Sequence, residues 1–175
     1  SPAPVLAIIE TPAPPLPARL DGDLVILDRL QDPANVGAVL RTIAAAGLTR
    51  VVTTPGTAAC WSPKALRAGM GGQFALAIHE GVPLTDLLSR LDVPLAATVA
   101  HAGEPVDEAD LTGPIAWWFG NEGEGIDPQA QSMAQWRVTI DQSPGVESLN
   151  VAAAAAVCLF EQRRQRRQPP RRSIS

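Results

Sequence analysis

Short runs of consecutive apolar and β-branched residues recur along this chain, and the gaps between them are long enough to hold helices. The runs are Leu24 to Leu27, Arg50 to Thr53, Phe74 to Ile78, Leu95 to Val99, Ile115 to Phe119 and Arg137 to Ile140. A strand with one wet face alternates apolar and polar side chains, whereas a strand covered on both faces reads as a continuous apolar run. The segments between the runs carry a helical period. From Ala34 to Ala46 the apolar Val36, Val39, Leu40 and Ile43 fall on one side, and Gly47 supplies a C-terminal stop. Ser62-Pro63-Lys64 pairs a cap with a first-turn proline, and Gly69 ends the brief helix that it opens. Thr85 to Leu91 and Pro128 to Met133 supply further helices, and the last runs from about Leu149 into an arginine-rich end. Alternation of this kind predicts one α/β domain, a parallel sheet with helices on both faces.

The two ends differ from the middle. Val5 to Ile9 suits a strand, and Thr11 to Pro17, with four prolines in seven residues, reads as an extended linker. Residues 1–20 are therefore expected to form an N-terminal strand and linker, residues 21–162 the globular domain, and residues 163–175 a basic, disordered tail. The chain begins at Ser1 rather than Met, which suits a processed product or a piece of something longer. All eighteen acidic residues precede position 162, against eight basic ones there, so the body carries −10. Six arginines between Arg163 and Arg172 give the tail +6. An acidic body argues against a broad phosphate-binding face, so a polyanion would have to be gripped locally. The basic tail suits a nucleic-acid arm or a solvated helix end.

No apolar run is long enough to span a bilayer and no signal peptide opens the chain, so with 46% apolar residues it reads as a soluble globule. Cys60 and Cys158 have no CxxC spacing and no histidine neighbours. Neither a zinc site nor a disulfide framework is implied, and a cytoplasmic, reducing setting is the default. His79 and His101 are isolated, Met70-Gly71-Gly72 reads as a plain turn, and no metal site, triad or paired-carboxylate pattern stands out.

Ligands of a parallel α/β sheet sit beyond the carboxyl ends of its strands, and three stretches with unusual residues fall there. In Asp32 to Arg41, Asn35 stands near a helix start, and Gly37 costs roughly 1 kcal/mol of helix stability against alanine, which makes sense where something approaches the backbone. Its plainer reading is an asparagine cap with a solvated arginine. In Trp117 to Ile126, a buried aromatic strand breaks into a loop with Gly120, Gly123 and Gly125. Glycines there bring backbone amides to a ligand, but Glu122 and Glu124 would repel a pyrophosphate, so a neutral or cationic ligand fits better than a dinucleotide. The plainer reading is a glycine turn at a strand end. In Pro144 to Glu161, a Pro-Gly turn leads through Ser148 and Asn150, both good helix caps, into five consecutive alanines. Such a helix lets another backbone approach closely, and its start offers free N–H groups. By itself it also reads as a capped core helix.

Taken in order, these stretches are similar to the three motifs of a known family. Asn35-x-Gly37-x-x-x-Arg41, Phe119-Gly120-Asn121-Glu122-Gly123-Glu124-Gly125 and Glu147-Ser148-Leu149-Asn150-Val151 resemble the SpoU (TrmH) family of RNA 2′-O-ribose methyltransferases, of the SPOUT superfamily. Ser62 to Ala68 also looks like the family's segment between its first two motifs, and the resemblance covers about Leu24 to Glu161. It implies a parallel α/β sheet with a C-terminal deep trefoil knot, in which the alanines keep the threaded helix narrow. It also implies S-adenosylmethionine as methyl donor, rRNA or tRNA as substrate, and a homodimer whose sites are each completed by the neighbour. By position it assigns cofactor contacts to Thr98, Gly120, Asn121, Gly123, Ile140 and Leu149. Arg41 matches the family's essential arginine, with Asn35, Glu122, Ser148 and Asn150 orienting it and the ribose. An arginine is a poor base, so phosphate binding and electrostatic activation are the expected role. Two rivals remain: a knotted module that binds RNA or cofactor without turnover, and a Rossmann-type nucleotide binder. The substrate could be met through an RNA-binding domain ahead of this chain, or by a one-domain enzyme that uses its arginine tail on tRNA.

Overall fold

The computed structural model describes residues 8–121, 123, 125–143, 145 and 148–167. Its strands are β1 (Leu24–Leu27), β2 (Arg50–Thr53), β3 (Ala77–His79), β4 (Leu95–Thr98), β5 (Glu104–Pro105), β6 (Ala116–Phe119) and β7 (Trp136–Thr139). The helices are α1 (Pro33–Ala46), α2 (Pro63–Gly69), α3 (Leu84–Arg90), α4 (Pro128–Met133) and α5 (Val151–Arg167). The strands form one sheet in the order β3-β2-β1-β6-β4-β7-β5, with every pairing parallel. β2 and β3 run outward on one side of β1 and the later strands lie on the other. The order therefore switches between β1 and β6, where a crevice opens at the strands' carboxyl ends.

Each strand sends alternate side chains to opposite faces, and both faces are covered. Val25, Leu27, Val51, Trp117 and Phe119 pack under Val36, Val39, Leu40 and Ile43 of α1 and Val151, Ala155, Cys158 and Leu159 of α5. Leu24, Ile26, Val52, Ala116 and Trp118 pack on the other side, with Leu87 of α3 and Ala130 of α4. Two apolar layers explain the unbroken runs in the sequence, since no strand position of β1 or β6 reaches water.

Three expectations need correction. Phe74 to Ile78 is not one strand: Gly72–Ala75 is a 3-10 turn and only Ala77–His79 pairs with β2. Gly71 sits at φ +83, and the fully buried Gln73 amide donates to the Cys60 and Ala65 carbonyls, which curls the chain and turns Phe74 outward. Ile8 and Ile9 lie outside any strand and are exposed, while the rest of the expected N-terminal strand lies outside the described residues. The basic tail is not disordered from 163, because α5 continues to Arg167. It does so because Arg163 donates to the Ala45 carbonyl, Gln165 to that of Ala109, and Arg166 to Asp23.

Candidate active site

β4, β6 and β7 end side by side, and the N-terminal turn of α5 faces them. Between them lies a cavity of about 320 Å³, within the range of roughly 300–1,000 Å³ of small-molecule sites. Thr98, Gly120, Asn121, Gly123, Ile140 and Leu149, the six residues expected to meet a cofactor, all line it, together with Ser148. Val138, Val151 and Ala154 add apolar wall.

The glycine loop owes its shape to its own backbone. The Asn121 amide donates to the Gly125 carbonyl at 3.0 Å and the Gly125 amide returns a bond at 2.9 Å. Gly123 donates to the Asn121 side chain at 2.8 Å, and that side chain donates in turn to the Arg29 carbonyl at 2.9 Å. A Cβ at Gly120 would overlap the Gly125 and Ile126 backbone, so only glycine lets the loop close. Glu122, expected in the catalytic set, lies outside the described residues.

Asp28, which ends β1, holds this loop from below and was not singled out as a site residue. Its carboxylate is buried and accepts from the Thr54 hydroxyl at 2.7 Å, the Asp127 amide at 3.0 Å and the Arg29 guanidinium at 3.3 Å. Asp127 stands two residues after Gly125, so Asp28 pins the loop's far end to β1. The available signal was an acid placed straight after a wholly apolar strand.

The start of α5 is capped as expected. The Asn150 side chain accepts from the Ala152 amide at 2.9 Å and its carbonyl from the Ala154 amide. Asn150 also donates to the Asn35 side chain at 3.0 Å, which joins the first and third motifs across 115 residues. Asp32 caps α1 through the Ala34 amide and takes an ion pair from Lys64, so α2 is tied to the same corner. The Lys64 hydrogen bond, first, and the Ala34 amide hold the Asp32 carboxyl below its ordinary value.

Arg41 stands apart. It is exposed, lies outside the cavity's lining, and has neither hydrogen bond nor ion pair among the described residues. The close approach expected at Gly37 belongs to α2 rather than to a ligand, because a Cβ there would overlap the Ala65 carbonyl and crowd Ala68. Gly72 plays the same part for Arg41 itself: an added Cβ would come within 2.9 Å of the Arg41 Cα.

Two further lining residues bear on the chemistry. Burial pushes the Cys158 thiol up to about 12, so it stays protonated at neutral pH and packs rather than attacks. The Gln142 side-chain carbonyl is buried at the cavity wall with no donor among the described residues, which suits a ligand carrying an N–H group. Among the described residues no cluster of histidine, cysteine, aspartate and glutamate could hold a metal ion, and no helix is long and apolar enough to cross a membrane.

Known proteins share this architecture. The SpoU rRNA methylase family profile matches residues 23–160. An uncharacterised tRNA/rRNA methyltransferase of Synechocystis is 39% identical over 154 residues, 86% of this chain and 55% of that protein. The 23S rRNA (guanosine(2553)-2′-O)-methyltransferase of Bacillus subtilis is 33% identical over 80% of this chain and 57% of its own length. The chain thus spans little more than half the length of these relatives. The SpoU methyltransferase AviRb of Streptomyces viridochromogenes, solved in complex with AdoMet, superposes with a TM-score of 0.81 at 28% identity, over 90% of this chain and 66% of that one. With matched motifs, matched fold and a profile covering most of its length, the chain belongs to the SpoU rRNA methylase family.

Proposed function

We propose that this chain carries the catalytic unit of an S-adenosylmethionine-dependent methyltransferase that modifies a ribose 2′-hydroxyl of rRNA or tRNA. One observation carries the reading: residues of the second and third motifs, with Thr98 and Ile140 from two strand ends, line a single cavity, and the AviRb structure of the same fold was solved with AdoMet. The cavity fits that cofactor chemically. Val138, Ile140, Leu149 and Val151 give an apolar slot for a purine ring, while Gln142 and the loop amides offer polar contacts. When bound, the cofactor would supply an electrophilic methyl on a sulfonium, which would leave as a neutral thioether while the ribose 2′-oxygen gains the methyl and gives its proton to solvent. The protein's task is therefore mainly positioning and charge.

Each side chain then has a part. Ser148 and the Asn35–Asn150 pair orient the ribose at the cavity mouth. Arg41 keeps its charge unspent, and its guanidinium clamps the phosphate beside the target and favours the developing oxyanion. Because Arg41 does not line its own cavity, it serves the cavity of a second copy. An exposed stripe on α5, Ala153, Val157 and Phe160 at helical spacing, supports a homodimer seam on that helix. The trefoil knot is part of the same reading: α5 is threaded, and its alanines keep it narrow enough to pass. Buried, unpaired Cys60 and Cys158 suit a reducing, cytoplasmic setting.

Calorimetry with S-adenosylmethionine, followed by mapping of 2′-O-methyl positions in total RNA from cells with and without the gene, tests the reading. Saturable cofactor binding and at least one methyl position lost with the gene are expected. Binding without any lost position would favour the non-catalytic module, and affinity for NAD or ATP instead would favour a nucleotide binder.

A further inference from the structure

We propose that Phe74, flanked by Met70 and Arg67, is a base-stacking platform on which the RNA strand rests beside Arg41. The inference rests on the RNA reading above and adds a docking surface to it.

The surface is costly to maintain. Met70 exposes 72% of its surface and Phe74 64%, so each leaves most of its apolar area to solvent. Met70 also adopts φ +49 as the C-cap of α2, a left-handed position where glycine is the usual residue. A large apolar side chain held outward by an unfavourable backbone suggests a contact that it makes elsewhere.

The platform is rigid. Phe74 meets the half-buried Trp61 edge to face, with ring centroids 5.6 Å apart. Gln73, next to it, is fully buried and bonded to the Cys60 and Ala65 carbonyls. Gly72, one residue further back, abuts the Arg41 backbone. An exposed aromatic ring is therefore fixed two residues from the closest approach to the family's arginine.

Charge selects the occupant. Arg41 and Arg67 are exposed, and neither has a hydrogen bond or ion pair among the described residues. Arg67 lies in the last turn of α2 and Met70 caps the same end of that helix. Asp32 is paired with Lys64, and Glu80 accepts from the Cys60 amide. Two unspent guanidinium groups around an outward ring, on a body that is otherwise acidic, match a strand of stacked bases on a phosphate backbone. A second copy meeting this patch about a two-fold axis would bring these unpaired cations together.

Fluorescence anisotropy with a fluorescein-labelled 12-nucleotide oligoadenylate, repeated at several salt concentrations, tests the platform. Phe74→Ala weakens binding about tenfold, the loss of one stacked base, without changing the salt slope. Phe74→Tyr binds like the wild type, and Arg67→Ala weakens binding while lowering the salt slope by about one. Calorimetric binding of S-adenosylmethionine and the mass by light scattering stay as in the wild type for all three variants. Wild-type affinity in Phe74→Ala, or a lower mass that marks the face as a contact between copies, would overturn the platform. So would a wild-type protein that ignores the oligonucleotide yet methylates ribosomal RNA, which leaves the parent reading standing. Absence of any RNA methylation by the wild type removes that reading and the platform with it.

Discussion

Helix α5 is treated differently at its two ends. At its C-terminal end, Gln162 is buried, accepts from the Trp117 indole at 2.9 Å and donates to Asp23 at 3.2 Å. Arg166 adds two bonds to Asp23 at 2.5 and 2.9 Å, and Gln165 exchanges bonds with Ala109 and Leu111. At its N-terminal end, Ser148, Leu149 and Asn150 are exposed, and the Asn150 side chain reaches Asn35 of α1. The latch holds the helix far from the chemistry, so the open end can present its groups to the cavity without also carrying the fold. Trp117 links the two, since it lies on β6 two residues before the cavity-lining Phe119.

Substitutions at the two ends should therefore fail in different ways. The largest effect is expected from Arg41→Ala, on α1, the helix whose Asn35 the open end bonds. It should lower turnover by about a hundredfold or more, the scale of removing one transition-state charge donor, while cofactor affinity by calorimetry stays within about twofold. Matched losses in both would return Arg41 to a structural role. At the latched end, Gln162→Leu strands the buried Trp117 N–H and removes a partner of Asp23. It should cost about 1–3 kcal/mol of stability and lower Tm by several degrees, with turnover per folded molecule unchanged.

Asp28→Asn tests the floor of the cavity. The amide keeps one acceptor for Thr54 or Asp127 but loses the charge that holds Arg29. The Kd for S-adenosylmethionine should rise several-fold, with a stability loss of about 1–3 kcal/mol. The smallest effect concerns acid. Burial pushes the Asp23 carboxyl up, but the Arg166 guanidinium, the Ile115 amide and Gln162 together hold it below its ordinary value of 3.8. Its charged form thus favours the fold, fully so above 3.8, and that contribution is lost as pH falls through the lower folded value. Thermal scans below about pH 4 should narrow the Tm gap between the wild type and Asp23→Asn.

Much of the fold was legible because both faces of the sheet are dry. Unbroken runs such as Leu24 to Leu27 and Ile115 to Phe119 left no other arrangement, and Gly47 and Gly69 end their helices as read. The cavity was legible through motif order, which brought Thr98, Ile140 and Leu149 to one wall from positions that no local pattern links. What escaped depends on tertiary contact. Gln73 breaks an apolar run only because it finds the Ala65 carbonyl, and Gly37 and Gly72 are small because α2 and Arg41 lie against them. Asp28 shows its purpose only when Thr54 and Asp127 arrive from elsewhere in the chain. The arginines beyond 162 looked like a solvated tail because composition cannot show that Asp23 and the Ala45 carbonyl are waiting for them.

The central claim is that the cavity beneath the α5 N-terminus delivers a methyl group to a ribose oxygen. Transfer of a tritiated methyl from S-adenosylmethionine to ribosomal RNA and tRNA lacking the modification, followed by alkaline hydrolysis, tests it most directly. Alkali cleaves RNA through the 2′-hydroxyl, so a methyl there protects the adjoining linkage. The account predicts label in alkali-resistant dinucleotides, abolished in Arg41→Ala. Label recovered in mononucleotides, which marks a methylated base, would contradict it, as would full cofactor binding with no transfer to either RNA.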